Sequence, residues 1–104
     1  MSRTAYKLLA AARSDLLEVW NYLAGRASLA VADRVAREIE KAIQRLVKNP
    51  GHGHFGPDLT DRDVRFFRVF SYLIVYRADL DALHVIRVLH AARDVHRILN
   101  DADI

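Results

Sequence analysis

The chain of 104 residues has room for one domain, predicted over residues 1–104, because a chain of this length supports a single hydrophobic core. No apolar run approaches the roughly 18 residues that cross a bilayer, and the absence of cysteine excludes disulfides and thiolate metal sites. Sixteen basic residues against thirteen acidic ones give a net charge of +3, an excess that an acidic protein partner explains as well as a nucleic acid does.

The first predicted element is a strand over residues 4–9. Tyr6 and Leu8 share one face of this segment, while Lys7 lies on the other. Such alternation is typical of a strand with one buried face. We therefore expect the chain to enter the core of the domain as a part-buried strand.

A helix is predicted from residue 11 onwards, where the apolar residues change to helical spacing. Leu16, Trp20 and Leu23 recur at intervals that place them on one side of a helix. Asp15 is among the charged residues that occupy other faces. The pattern thus predicts an amphipathic first helix with Asp15 away from its apolar side.

The second helix is predicted over residues 29–48, after a short break that contains Gly25. Ser28 is suited to cap it, because a serine hydroxyl accepts a bond from an unpaired N–H of the first turn. Glu38 and Lys41 are spaced to pair on its charged face. Its apolar stripe consists of Ala32, Val35, Ala36, Ile39, Ile43, Leu46 and Val47. Two helices with a short connection form an antiparallel hairpin whose apolar stripes face each other.

Three strands are predicted in the second half of the chain. Residues 50–63 hold both prolines and three of the four glycines, and they read as one long loop. Residues 64–69, 72–77 and 83–89 are rich in β-branched and aromatic side chains and have short connections. We predict an antiparallel meander with the helical hairpin on one face, which makes the domain α+β.

Two histidines in the predicted loop, His52 and His54, are spaced to share a cation. The chain has no cysteine, and no further histidine lies nearby to complete a ligand shell. An exposed or structural role in the loop is therefore the better interpretation. We expect neither a metal ion nor an organic cofactor.

A cluster of basic residues is the more serious candidate for chemistry. RNA cleavage at a 2′-hydroxyl needs a general base, a general acid and cations near the phosphate. The meander and its exit supply Arg65, Arg68, Arg87, His90 and Arg93. This set is incomplete for cleavage, and its arginines could equally face solvent or pair with carboxylates. The residues alone favour a structural role over catalysis.

The order of the elements and the last segment together suggest a family. Residues 87–94 read Arg-Val-Leu-His-Ala-Ala-Arg-Asp, and the first helix and central strand contribute residues 12–23 and 72–77. In this order and spacing, the chain resembles the ParE branch of the RelE/ParE superfamily of bacterial toxin–antitoxin toxins. The resemblance covers nearly the whole chain.

The resemblance implies a cytoplasmic toxin that inhibits DNA gyrase by protein binding and traps its cleaved-DNA intermediate. A ParD-like antitoxin would neutralise it in a hetero-oligomer, and DNA would be contacted through the antitoxin. Such a toxin has no catalytic residue. Partner contacts are expected from the hairpin and from the end of the chain, where residues 95–99 would dock. The candidate partner-binding residues are Leu16, Trp20, Leu23, Ile39, Ile43, Arg87, His90, Arg93, Val95, Ile98 and Leu99.

The RelE branch is the alternative, and its members cleave messenger RNA in the ribosome. The catalytic residues would then be Arg65, Arg68, His90 and Arg93. Members of that branch tend to carry lysines in the sheet and a tyrosine or histidine at the end of the chain. Here the three strands of the predicted meander contain no lysine, and no tyrosine follows the last strand, so the ParE branch is favoured. A third possibility is a harmless family member that persists as a binding module.

Overall fold

Two helices cover one face of a five-stranded sheet in the computed structural model, which describes residues 5–56, 60 and 63–101. The elements in chain order are β1 (Tyr6–Leu8), α1 (Ala10–Arg26), α2 (Leu29–Lys48), β2 (His54–Phe55), β3 (Arg65–Val69), β4 (Tyr72–Ala78), β5 (Leu83–His90) and α3 (Val95–Asp101). The predicted order of strand, helical hairpin and meander is confirmed. No helix in these ranges is long and apolar enough to span a membrane.

The helical hairpin forms as the sequence pattern indicates. α2 has the predicted bounds, and the Ser28 hydroxyl accepts a bond from Val31 N at 3.1 Å, as expected of an N-cap. Lys41 and Glu38 pair at 3.6 Å on the exposed face. α1 is linked to α2 by a bond of 2.9 Å from Trp20 Nε1 to Asp33 Oδ1.

The sheet has the order β1-β5-β4-β3-β2 and is antiparallel except at one edge. There β1 runs parallel to β5, with Tyr6 opposite Leu83 and Leu8 opposite Val85. A parallel neighbour requires a crossover connection, and α1 and α2 provide it. The hairpin is thereby placed across the face of the sheet that its apolar stripe covers.

The predicted single loop over residues 50–63 is wrong in its first half. Pro50–His52 forms a 3-10 turn, and β2 follows and pairs with β3. The cause is Tyr76, whose buried hydroxyl donates to Pro50 O at 2.6 Å and accepts from Gly53 N at 2.9 Å. A buried phenol needs such partners, and it orders the segment that supplies them. Residues 57–59, 61 and 62 of the predicted loop lie outside the described residues.

The core has two parts, one on each face of the sheet. On the hairpin face, the α2 residues Ile39 and Ile43 pack against β4 and β5. On the opposite face, Val95 and Leu99 pack with Phe66 and other sheet residues. The chain end was predicted to dock against the domain, and it does so as α3. Both faces of the sheet therefore carry packed apolar side chains.

The substitution Gly53→Ala tests the contact of the segment before β2 with Tyr76 of the sheet. A Cβ at this position would collide with the Tyr76 hydroxyl and lie 2.8 Å from Phe66 O, so Gly53→Ala forces the segment away from the sheet. We expect a loss of about 2 kcal/mol in the free energy of unfolding. Urea denaturation measures it. Gly25→Ala is the control, because nothing lies within 4 Å there and α1 gains about 0.5 kcal/mol. Equal stability of the two variants would contradict a stabilising contact between Gly53 and Tyr76.

Candidate functional site

A groove of about 400 Å³ lies where α1 meets the ends of β4 and β5. It brings residues of the first helix together with the start of β4, the end of β5 and the segment that follows β5. Its walls are Asp15, Glu18, Val19, Tyr22, Tyr72, Val88, His90 and Arg93. The structure thus joins all three of the stretches on which the family resemblance was based.

Asp15 fixes the position of α1 against β5. β1 ends at Leu8, opposite Val85, so β5 continues without a strand on that side. There Asp15 Oδ2 accepts from Val88 N at 3.0 Å and from Arg87 Nε at 2.7 Å, and Oδ1 accepts from Arg87 Nη2 at 2.9 Å. The carboxylate therefore completes the edge of the strand in place of a neighbouring backbone.

This arrangement corrects the expectation for Asp15, which is 3% exposed although it was placed away from the apolar side. Its burial is satisfied because the bidentate Arg87 pair and a backbone N–H use both oxygens. The hydrogen bonds that Arg87 donates to Asp15 raise the pKa of Arg87 against the opposing effect of burial. The sequence does contain a signal: Arg87 stands between apolar residues of the last strand, in Val85-Ile86-Arg87-Val88-Leu89, and a buried arginine needs a carboxylate.

His90 enters the groove with one ring nitrogen already bonded. Its Nδ1 accepts from Ala92 N at 3.0 Å, so the neutral ring carries its proton on Nε2. The ring stands edge-on to Tyr72, with centroids 5.3 Å apart. Burial, and secondarily Tyr22, raises the pKa of the Tyr72 hydroxyl. His90 is thus held in one orientation and offers the groove a hydrogen-bond donor.

The predicted basic cluster is only partly assembled. Arg65 lies over the Phe55 ring at 4.2 Å and donates to Gly53 O, and Arg87 is engaged by Asp15. Arg93 is exposed and lines the groove beside His90. Of the five clustered residues, the groove wall therefore includes His90 and Arg93.

Arg68 donates to Phe70 O at 2.7 Å, in the turn between β3 and β4. Val69, its neighbour in β3, pairs with Tyr72, which in turn pairs with His90. Arg68 is therefore at the same end of the sheet as the groove, although it is not one of the groove residues.

The predicted apolar partner-binding residues separate into two groups. Leu16, Trp20, Leu23 and Ile98 are partly buried and keep some accessible surface. Ile39, Ile43, Val95 and Leu99 are buried in the core. Their side chains hold the domain together and cannot contact a partner in this conformation, so we leave these four out of the proposed binding surface.

Several exposed apolar residues of the hairpin were not among the predicted site residues. Tyr22 is 58% exposed, and Leu17 and Leu29 are each 62% exposed. Leu17 and Tyr22 fall beside the stripe formed by Leu16 and Trp20. An apolar residue off the buried stripe of an amphipathic helix is the sequence signal that could have identified them.

Asp15→Ala tests the edge arrangement. The substitution removes the partner of a largely buried arginine and leaves Val88 N without its acceptor. We expect a loss of about 3 kcal/mol in the free energy of unfolding. Chemical denaturation provides the measurement. Glu18→Ala is the matched control, since Glu18 is an exposed carboxylate on the same helix and should change stability by less than about 0.5 kcal/mol. Similar losses in both variants would rule the arrangement out.

Comparison with known proteins identifies relatives along most of the chain. A family model described as ParE toxin of type II toxin-antitoxin system, parDE, matches residues 6–95. Toxin ParE1 of Caulobacter vibrioides is 33% identical over 86 residues, which are 82% of this chain and 86% of that protein. Toxin ParE1 of Mycobacterium tuberculosis strain H37Rv is 32% identical over 95 residues, 90% of this chain and 96% of that protein.

A solved structure has the same fold. It is described as "Chromosomal ParDE TA system from P. aeruginosa" and superposes with a TM-score of 0.71 at 15% sequence identity. The superposition covers 84% of this chain and 95% of that one.

Proposed function

Because this chain belongs to the ParE toxin family of type II toxin–antitoxin systems, we propose that it inhibits DNA gyrase by protein binding and that a ParD-like antitoxin neutralises it. The toxin would trap the cleaved-DNA intermediate of gyrase in the cytoplasm. It would contact DNA only through the antitoxin. It acts as a binding protein rather than as a catalyst in this proposal.

The groove is the observation that carries the proposal. Its histidine is held through Nδ1 by a backbone N–H, and Arg93 projects from the exposed turn beside it. Asp15, the buried carboxylate of the groove, already has both oxygens engaged by Arg87 and Val88. A groove with oriented donors, aromatic walls and an exposed arginine has the composition of a protein-binding surface.

The helical hairpin supports an antitoxin partner. Its exposed Leu17, Tyr22 and Leu29 give an amphipathic segment apolar surface to cover. The solved neighbour is described as a ParDE TA system, which supports an antitoxin partner for this chain as well. We propose that the antitoxin lies across α1 and α2 in a hetero-oligomer and also contacts the partly buried Leu16, Trp20, Leu23 and Ile98.

The ribonuclease alternative receives less support from the geometry. Arg65 stacks on Phe55, four residues along β3 from the end of the sheet where His90 lies. His90 would have to give up its bond from Ala92 N before its Nδ1 could accept a proton. We therefore keep gyrase inhibition as the conclusion.

Supercoiling by purified gyrase tests the proposal. Antitoxin-free protein should inhibit supercoiling and accumulate cleaved DNA, and Arg93→Ala should raise the half-maximal inhibitory concentration by about tenfold, the loss expected of an interface arginine. Arg37→Ala is the control, because Arg37 is exposed on α2, away from the groove. Absence of inhibition by the unmodified protein would refute the proposal.

The same protein separates the alternatives in cells. Primer extension on translated messages after brief induction should reveal no codon-linked cuts, because no ribonuclease step is proposed. His90→Ala should leave the pattern of transcripts unchanged. Cuts that disappear in His90→Ala would support the RelE-type alternative. Unchanged growth without antitoxin would instead support the harmless family member.

A further inference from the structure

The turn between β3 and β4 holds a bulky residue in a conformation that favours glycine. Phe70 has a φ of +54°, and no other non-glycine residue in the described part of the chain has a positive φ. It is the first of the two residues that connect Val69 to Tyr72. When only this position has positive φ, as in type II′ turns, glycine is strongly preferred. A phenylalanine here is strained.

Packing within the chain does not explain this residue. The Phe70 side chain is 50% exposed, so little apolar area is removed from water in return for the strain. The turn is nevertheless well held. Arg68 Nε donates to Phe70 O at 2.7 Å, and Ala91 N donates to Ser71 O at 2.8 Å. An exposed aromatic ring is therefore presented at a fixed position beside the exit of β5.

The surroundings of the ring are basic. Arg68 flanks it on β3, and the bond between Ala91 and Ser71 places the turn next to the segment that carries Arg93. Within the described ranges, neither guanidinium forms an ion pair. Aromatic and arginine side chains are the residues most enriched among those that dominate binding energy at protein interfaces. Two guanidinium groups that have no carboxylate partner among the described residues favour carboxylates on the opposing surface.

We propose that Phe70 is an anchor by which this toxin holds its target, inserting into an apolar pocket on gyrase whose rim carries carboxylates facing Arg68 and Arg93. This inference rests on the proposed function and assigns to the target a residue outside the groove. The antitoxin takes the separate apolar surface of α1 and α2. Strain in the turn is then retained because it aims the ring at the target.

Because the turn is strained, an anchor and a structural residue predict different results for a substitution at Phe70: an anchor predicts weaker inhibition without a loss of stability. Phe70→Gly removes the ring and relieves the turn, so the melting temperature should stay the same or rise by up to about 5 °C. The concentration of antitoxin-free protein that half-inhibits gyrase supercoiling should rise by about tenfold or more. Phe70→Tyr keeps the ring and should retain inhibition within about threefold, a difference of about 0.7 kcal/mol in binding.

The matched control is Leu80→Gly, because Leu80 is a 98% exposed apolar residue in the connection between β4 and β5, at the opposite end of the sheet. It should leave inhibition unchanged. Binding of each variant to gyrase without DNA, followed by biolayer interferometry, shows whether the lost contact is with protein. Binding of each variant to purified ParD-like antitoxin should stay within about twofold.

The outcomes are distinct. If the unmodified protein does not inhibit gyrase, the proposed function fails, and the anchor fails with it. If the unmodified protein inhibits and Phe70→Gly inhibits equally well, the anchor alone is wrong. A matching loss of antitoxin binding in Phe70→Gly would assign the residue to the antitoxin instead and overturn the inference. A lower melting temperature in Phe70→Gly would make the residue structural and overturn it too.

Discussion

The carboxylate of Asp15 joins the two halves of the domain. It reaches across the sequence to Arg87 and Val88 and completes the edge of β5 where β1 has ended. α1 also packs against the core through apolar side chains such as Leu16 and Val19, and such contacts fix its position less strictly. The groove has one wall from α1 and another from β5, so its shape depends on this contact. The buried ion pair is thus better understood as a device that sets geometry than as a source of stability.

Tyr76, on the hairpin face of the sheet, also joins segments that are distant in sequence. Its hydroxyl joins β4 to the backbone at Pro50 and Gly53, and the segment thus ordered supplies the ring of Phe55 to Arg65. Burial raises the pKa of Tyr76, so the phenol stays protonated and keeps its donor. Arg65 of the predicted basic cluster is thereby engaged within the domain. The exposed positive charge of the cluster lies instead near His90, at the other end of β3 and β4.

The fold was predictable because its signals are periodic and local. The stripe along α2, the Ser28 cap and the runs of β-branched residues each determine an element without reference to distant residues. Long-range polar contacts were not predictable in the same way. Asp15 was expected on a charged face because its partner lies in the last strand, and residues 50–55 were expected to be loop because Tyr76 supplies their order from β4.

The candidate site was predictable in composition but not in arrangement. Residues 87–94 were singled out from sequence, and His90 and Arg93 of that segment do line the groove. The residues around them come from α1, from Tyr72 and from the turn between β3 and β4, and the motif of residues 87–94 does not show that these lie nearby. Phe70 is the clearest example, because its φ is set by a two-residue connection whose need for positive φ no pattern of hydrophobicity records.

In our proposal, a toxin of this family has to bind two partners: an antitoxin, and a target that it reaches when the antitoxin is gone. In our proposal, two surfaces of different chemistry serve these two partners. The hairpin exposes apolar side chains such as Leu17 and Leu29, whereas the end of the sheet exposes Arg93 and a strained aromatic ring. Apolar area gives affinity, and charge gives rate and selectivity. If the two surfaces are separate, the contacts with the antitoxin and those with the target can change independently. The Asp15 contact holds α1, which carries part of one surface, at a fixed position against β5.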